Sequence, residues 1–343
     1  MSPLPIPPHF DPDSVGSVWR VDYGSRAPAA RDWAGVHGIR NAAEDERRIC
    51  VVLVDCQNTF CIPGYELFVG GRSGRGAVDD NRRLCEFLYR HLDVITEIAV
   101  TLDSHTALQI FHPVFWVDER GRHPDGAATV ITAEDVERGR WRVNPAVAPS
   151  VANGDVAWLE RYVLHYVRAL AAGHYPLMVW PYHAMLGGVG HALVSAVEEA
   201  AFVHGIARQT ATRFEMKGGN PLTEHYSVLS PEVLEGPGGF HVAARNVAFI
   251  DHLLAFDAVI VAGQAKSHCV AWTISDLLRE IRERDPALAG RIYLLDDGTS
   301  PVVVPGVADF TDHAERAFAE FAAAGMRIVR STEPLDTWDG FPV

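Results

Sequence analysis

The sequence predicts a three-layer α/β/α fold with a mostly parallel sheet of about six strands. Three observations carry that expectation. Short continuous apolar runs rich in β-branched residues recur along the chain, the texture of strands buried on both faces. Segments of helical period lie between them, and strands alternating with helices give a parallel sheet with right-handed crossovers. The chain has 343 residues, 48% hydrophobic and 22% charged, which supplies apolar surface for a substantial core and excludes disorder and a collagen-like chain.

Residues 1–46 are rich in Pro and turn formers without a sustained period, so they read as an N-terminal arm, extended on the surface. Residues 47–343 read as one domain. Its strands are CVVLVD (50–55), EIAVTLD (97–103), a segment at 212–216, AVIVAG (258–263), RIYLLDD (291–297) and MRIVR (326–330). Its helical segments are NRRLCEFLYRHL (81–92), HALVSAVEEAAFVHG (191–205), CVAWTISDLLREIRER (269–284) and DHAERAFAEFAAAG (312–325). Residues 114–178 break the rhythm with a polar, Gly-containing stretch and then a helix at 158–170. They are expected to form an insertion covering one edge of the site. In such sheets chemistry gathers at the carboxyl ends of the strands.

The formal net charge of −14 repels polyanions, so neither nucleic acid nor an anionic membrane is expected as a partner. A small uncharged or metal-assisted substrate fits better. No apolar run approaches the ~18 residues that span a bilayer. The first 17 residues have neither the basic nor the apolar region of a secretory signal, so a cytoplasmic location is the default expectation. The five Cys, at 50, 56, 61, 85 and 269, have no zinc-ribbon spacing and an odd count, which suits free thiols better than a disulfide framework.

Unusual polar residues stand at four strand ends or in the loops after them. Asp55 closes the first strand, where an Asp either caps the next turn or acts as an acid. Asp103, Ser104 and His105 follow the second strand, with His112 close behind. Carboxylate and imidazole groups on one loop suit a borderline divalent metal, and also occur as solvated loop residues. Trp180-Pro181-Tyr182-His183 forms an aromatic turn. Cys269 opens a helix after the strand 258–263, where unpaired N–H groups and the macrodipole favour its thiolate and offer donors to an oxyanion. A small Cys packed between sheet and helix is the structural alternative. With Lys217 at the end of the segment 212–216, an acid, a lysine and a cysteine at three strand ends make up a proton acceptor, an electrostatic partner and a nucleophile.

The runs VVLVDCQNTFC (51–61), TLDSHTALQIFHP (101–113), WPYHAMLGG (180–188), FEMKGGN (214–220) and VAGQAKSHCVAWT (261–273), in this order, resemble the nicotinamidase branch of the isochorismatase-like cysteine hydrolases. The likeness spans most of residues 50–343, the insertion apart. It implies the isochorismatase-like hydrolase fold and an amidohydrolase that converts nicotinamide to nicotinate. The triad would be Asp55, Lys217 and Cys269, with Ala265 and Cys269 giving the oxyanion hole and a cis peptide between Gln264 and Ala265. One divalent metal, zinc first and iron or manganese as alternatives, would be held by Asp103, His105, His112 and His183. Phe60, Trp180 and Tyr226 would bind the substrate, and a homo-oligomer is expected because family members often associate.

The match has departures. The spacing from His105 to His112 is one residue longer than is usual in the family. Lys266-Ser267-His268 stands where relatives usually carry an acidic residue, and Ala184 where many have Cys. Two rival readings follow: a cysteine amidohydrolase of the same superfamily acting on another small amide, or a non-catalytic binding protein on this fold. Cys50, Cys56, Cys61 and Cys85 are expected to be thiols without catalytic duty, and His241, His252 and His313 to serve surface or core packing. Trp116, Trp141 and Trp158 are expected to pack the insertion onto the body, and Asp296 and Asp297 have no assigned task.

Overall fold

The computed structural model describes residues 3–126, 129–173, 175–304, 306 and 308–342. Six strands form one sheet: Ile49–Val54 (β1), Glu97–Asp103 (β2), Arg213–Lys217 (β3), Ala258–Gly263 (β4), Ile292–Leu295 (β5) and Arg327–Val329 (β6). Their order is β6-β5-β4-β1-β2-β3. The pairs β1–β2, β1–β4, β4–β5 and β5–β6 are parallel. Every residue of β1, β4 and β5 is buried, as continuous apolar strands require when helices cover both faces of a sheet. The predicted three-layer α/β/α class is the observed one.

From β1 the chain builds β2 and β3 outward on one side, then crosses to β4, β5 and β6 on the other. The order therefore reverses between β1 and β4, and ligands of open α/β sheets bind outside the carboxyl ends at such a reversal.

By contact the chain divides into two compact units, one of residues 1–102, 192–215 and 247–343, the other of residues 103–191 and 216–246. In the first unit, Gly76–Arg90 (α2) packs against Ser195–Arg208 (α4), and Ala271–Arg284 (α5) against Thr311–Ala323 (α6). The helix expected from His191 begins only at Ser195 because Leu193 is extended and bridges Gln57 in antiparallel fashion. Residues 1–46, expected to be extended, contain a helix, Tyr23–His37 (α1), capped by the Asp22 carboxylate at one end and by left-handed Gly38 at the other. Ala30 is its one fully buried residue, so no apolar stripe betrays it. It lies along α4.

The second unit has its own core. Trp116, Ile131, Leu159, Val163 and Leu177 come from 103–191, and Leu222 and Val233 from 216–246. Val156–Ala171 (α3) buries one face there and is capped by Asp155, whose Oδ1 accepts from the Trp158 N–H at 2.8 Å. Trp116 is fully buried, and Trp141 and Trp158 pack on the same cluster. Trp116 thus fills the interior of its unit, and the other two indoles cover that core from outside. Among the described residues no helix is long and apolar enough to cross a membrane.

Candidate functional site

The ends of β1 and β4 are built for close approach. Val54 pairs with Gly263, and the Gln264 N–H donates to Val54 O at 2.8 Å. A Cβ on Gly263 would lie 2.0 Å from that carbonyl oxygen, and its φ is +116°, so only glycine fits. Asp55, the next residue on the β1 side, is fully buried with φ +47°, a left-handed conformation that costs a non-glycine residue on the order of 1 kcal/mol or more. Thr101 on β2 holds it twice. The Asp55 N–H donates to the threonine oxygen at 3.1 Å, and the threonine hydroxyl donates to Oδ1 at 2.5 Å. Sequence reading passed over Thr101, although a hydroxyl in an otherwise apolar strand was a usable signal.

On the β4 side the Gln264–Ala265 peptide is cis. Residues Lys266–Val270 then form one wide π-type turn that leads into α5, so Cys269 sits within the turn rather than on the first residue of the α-helix. All five cysteines are buried thiols outside any disulfide. Cys50, Cys56, Cys61 and Cys85 are 0% exposed, and Cys269 retains 8%. Burial pushes the Cys50, Cys56, Cys61 and Cys85 thiols up. The Ala265 N–H donates to no acceptor among the described residues. Lys266, conspicuous in the sequence, is engaged by two carboxylates and a ring. Its ammonium is buried between Asp296 at 2.8 Å and Glu315 at 2.7 Å and lies over the Phe318 ring. Asp297 accepts from the Ser331 N–H and hydroxyl, both at 2.8 Å.

In the second unit, Asp103, His105 and His183 are buried with one potential ligand atom from each, all within 4.8 Å of one another. Asp103 Oδ2 lies 2.8 Å from His105 Nε2 and 3.6 Å from His183 Nε2. Each imidazole is turned by its other nitrogen: His105 Nδ1 donates to Gly218 O at 3.2 Å, and His183 Nδ1 to Pro181 O at 2.7 Å. Backbone acceptors of this kind leave Nε2 as the lone-pair donor, the arrangement that metal-bound histidines use. Gly218 is again obligatory, since a Cβ there would stand 2.4 Å from His105 Cε1. Burial raises the Asp103 pKa, but the neighbouring His105 and Lys217 outweigh it and hold the carboxyl well below its usual range. Burial lowers His183, which favours the neutral, ligating form. An oxygen-and-nitrogen donor set of this sort fits a divalent transition ion.

Lys217 is buried, with its ammonium 2.9 Å from Asp103 Oδ1 and donating to His225 O at 3.0 Å. His112 stands beside the three-ligand group rather than within it. Its ring centroid is 6.0 Å from that of His105 and 5.8 Å from that of His183. Its Nδ1 donates to Ala107 O, and Nε2 is buried with no hydrogen-bond partner among the described residues. Burial, then His183 and His105, lower its pKa to about 3. His191, which nothing in the sequence marks, lies with Nε2 2.8 Å from Ser104 Oγ.

Trp180 and Tyr226 come together. The Trp180 indole N–H reaches Tyr226 Oη at 3.3 Å and Glu224 Oε1 at 3.1 Å. Glu224 is buried and also accepts from the Tyr166 hydroxyl at 3.3 Å. Burial, assisted by Glu232, pushes its carboxyl up to about 8. Phe60 belongs to the first unit, on the short helix Asn58–Cys61 that follows β1, partly buried against that core. Of the histidines expected to pack, His252 donates to Glu97 at 2.6 Å, His241 is exposed, and His313 lies against Trp272.

No family model matches the sequence, and no curated protein matches it. Solved structures do. A nicotinamidase/pyrazinamidase of Acinetobacter baumannii superposes with TM-score 0.50 at 15% identity, covering 84% of this chain and 99% of that one. The yeast nicotinamidase gives 0.46 at 17%, covering 82% and 99%. The Pyrococcus horikoshii pyrazinamidase, solved in complex with zinc, gives 0.43 at 18%, again covering 82% and 99%. At these identities the likeness is one of fold, and the first superposition places the chain's fold with that of a nicotinamidase, as the motif order implied.

Proposed function

We propose that the chain is a nicotinamidase-like cysteine amidohydrolase. The observation that supports this most is the placement of Asp55 and Cys269 just beyond β1 and β4, the adjacent parallel strands between which the sheet order reverses. In the proposal Asp55 accepts the thiol proton and Lys217 supplies positive charge that favours the ionised pair. The thiolate attacks the amide carbonyl, a C–S bond forms, and the carbonyl electron pair moves to oxygen. There it meets the N–H groups of Ala265 and Cys269. Collapse breaks the C–N bond, Asp55 protonates the leaving nitrogen, and ammonia departs from a thioester. Water, deprotonated by Asp55, then cleaves the C–S bond, so that nicotinamide yields nicotinate.

Asp103, His105 and His183 would hold the metal, zinc by preference. When bound, such an ion supplies a Lewis-acidic point that fixes a pyridine nitrogen and so orients the carboxamide. Phe60, Trp180 and Tyr226 would set the ring plane.

Ammonia release from a panel of amides, with nicotinamide among them, tests the reading. Wild type should release ammonia from nicotinamide fastest, Cys269→Ala should lose at least about a thousandfold in kcat, as loss of a catalytic nucleophile does, and rapid quenching should trap an acyl adduct on Cys269. Turnover unchanged in Cys269→Ala overturns the covalent scheme. Preference for another amide keeps the chemistry and replaces the substrate.

A further inference from the structure

Asp80 lies on α2, outside every motif described above, yet it is 2% exposed. A carboxylate buried this far is costly unless donors surround it, and three do. Gln264 Nε2 donates to Oδ2 at 2.8 Å, Arg83 donates to Oδ1 at 2.8 Å, and the Ser300 hydroxyl donates as well. The residue receiving this attention is Gln264, itself 1% exposed. Its main-chain N–H is bound to Val54 O, and its side-chain oxygen accepts from the Ser300 N–H at 3.4 Å. The same loop grips the turn further on. Lys266 N–H donates to Ser300 O at 2.8 Å, and Val302 N–H to Ser267 Oγ at 3.0 Å. Packing is tight where these parts meet, since a Cβ on Gly76, at the start of α2, would come within 2.7 Å of Ser300 Oγ. Arg83 completes the frame by donating to Asp297 O at 2.6 Å.

The peptide that carries the Ala265 N–H is the one joining Gln264 to Ala265. Its plane is therefore set by the backbone of Gln264, and that residue is pinned at its main-chain nitrogen and at both ends of its side-chain amide. We propose that Asp80 is a positioning residue of the acyl-transfer site, holding Gln264 so that the Ala265 N–H is aimed at the oxygen on which charge develops. This inference rests on the amidohydrolase reading above. A charged acceptor gives shorter and stronger hydrogen bonds than a neutral one, which is what a donor needs when it must be in place before the reaction.

The test compares wild type, Asp80→Ala, Asp80→Asn and Gln264→Met in nicotinamide turnover, nicotinate binding and inhibition by nicotinaldehyde, whose thiohemiacetal with Cys269 places an oxygen in the same donors. Asp80→Ala should lower kcat by about 10- to 100-fold, somewhat less than outright removal of an oxyanion donor. KM and nicotinate affinity should stay within about twofold, and aldehyde affinity should fall by the same factor as kcat, because only the tetrahedral state uses the donor. Asp80→Asn, which can still accept from Gln264, should fall between, and Gln264→Met should match Asp80→Ala. Should Asp80→Ala fail to fold, the latter two decide the matter. Active wild type with aldehyde affinity and kcat unaffected in the variants overturns the inference alone. So does a loss shared equally by nicotinate binding and aldehyde binding, which marks general damage. Wild type that hydrolyses no amide overturns the underlying reading and takes this inference with it.

Discussion

At the scale of single residues, Glu224 sits among Tyr166, Trp180 and Tyr226 with its carboxyl pushed up to about 8 by burial. The ordinary carboxyl value of about 4.3 applies in the unfolded chain. Between these values the folded protein retains a proton that the unfolded chain has released, so stability is fully present below about 4.3 and falls as pH rises through 8. The limiting slope is about 1.4 kcal/mol per pH unit. Glu224→Gln keeps the shape and cannot ionise, so its urea midpoint should decline less than that of wild type between pH 5 and 8. Parallel profiles for the two proteins would refute this. Nothing in NPLTEHYS announces a buried acid, because the aromatic rings around Glu224 come partly from positions 166 and 180. Asp55 and Cys269 were readable because each closes or follows an unmistakable strand. Asp80 acts through a bond to Gln264, far along the chain, and no local pattern encodes such a bond.

At the scale of elements, legibility followed burial. Strands β1 and β4 announce themselves because both faces are covered and their residues are apolar throughout, and β2 shows through its buried stretch at 98–101. Helix α1 was missed because its residues face a shallow surface and its Pro28 and Gly24 read as turn formers. The helix was expected from Cys269, two residues ahead of Ala271, because the end of the π-type turn runs on into α5. The join between β1 and β4 gives the sharpest prediction at this scale. Gly263→Ala would push a methyl group to 2.0 Å from Val54 O and force a left-handed residue besides. The ladder at Val54–Gly263 and the Gln264–Val54 hydrogen bond cannot both survive that, so destabilisation should exceed about 3 kcal/mol. Chemical denaturation measures it. A loss below about 1 kcal/mol would mean that the strand end is laxer than its geometry requires.

At the scale of the whole molecule, the motif order in the sequence foretold the fold, but the division into two units was hidden. The second unit draws on 103–191 and 216–246, and the gathering of Leu222 and Val233 into one cluster with Leu159 and Val163 leaves no trace in either stretch alone. The spacing of the three candidate ligands along 103–191 has its own consequence for stability. Asp103 and His105 leave the end of β2, whereas His183 arrives some eighty residues later, so an ion held by all three ties together segments that are free to separate once the chain unfolds. Such an ion binds the folded state alone and stabilises it by RT ln(1 + [L]/Kd), about 2.7 kcal/mol at a hundredfold excess over Kd. In a protein of this size that corresponds to a rise in Tm of roughly 4 °C. Zinc added to metal-stripped wild type should give that rise, and a chelator should reverse it. His183→Ala should abolish the response. His112→Ala should keep most of it, because His112 lies beside the three-ligand group. Calorimetry with metal analysis reads all three proteins without recourse to turnover. Equal responses in wild type and His183→Ala would dismiss the site.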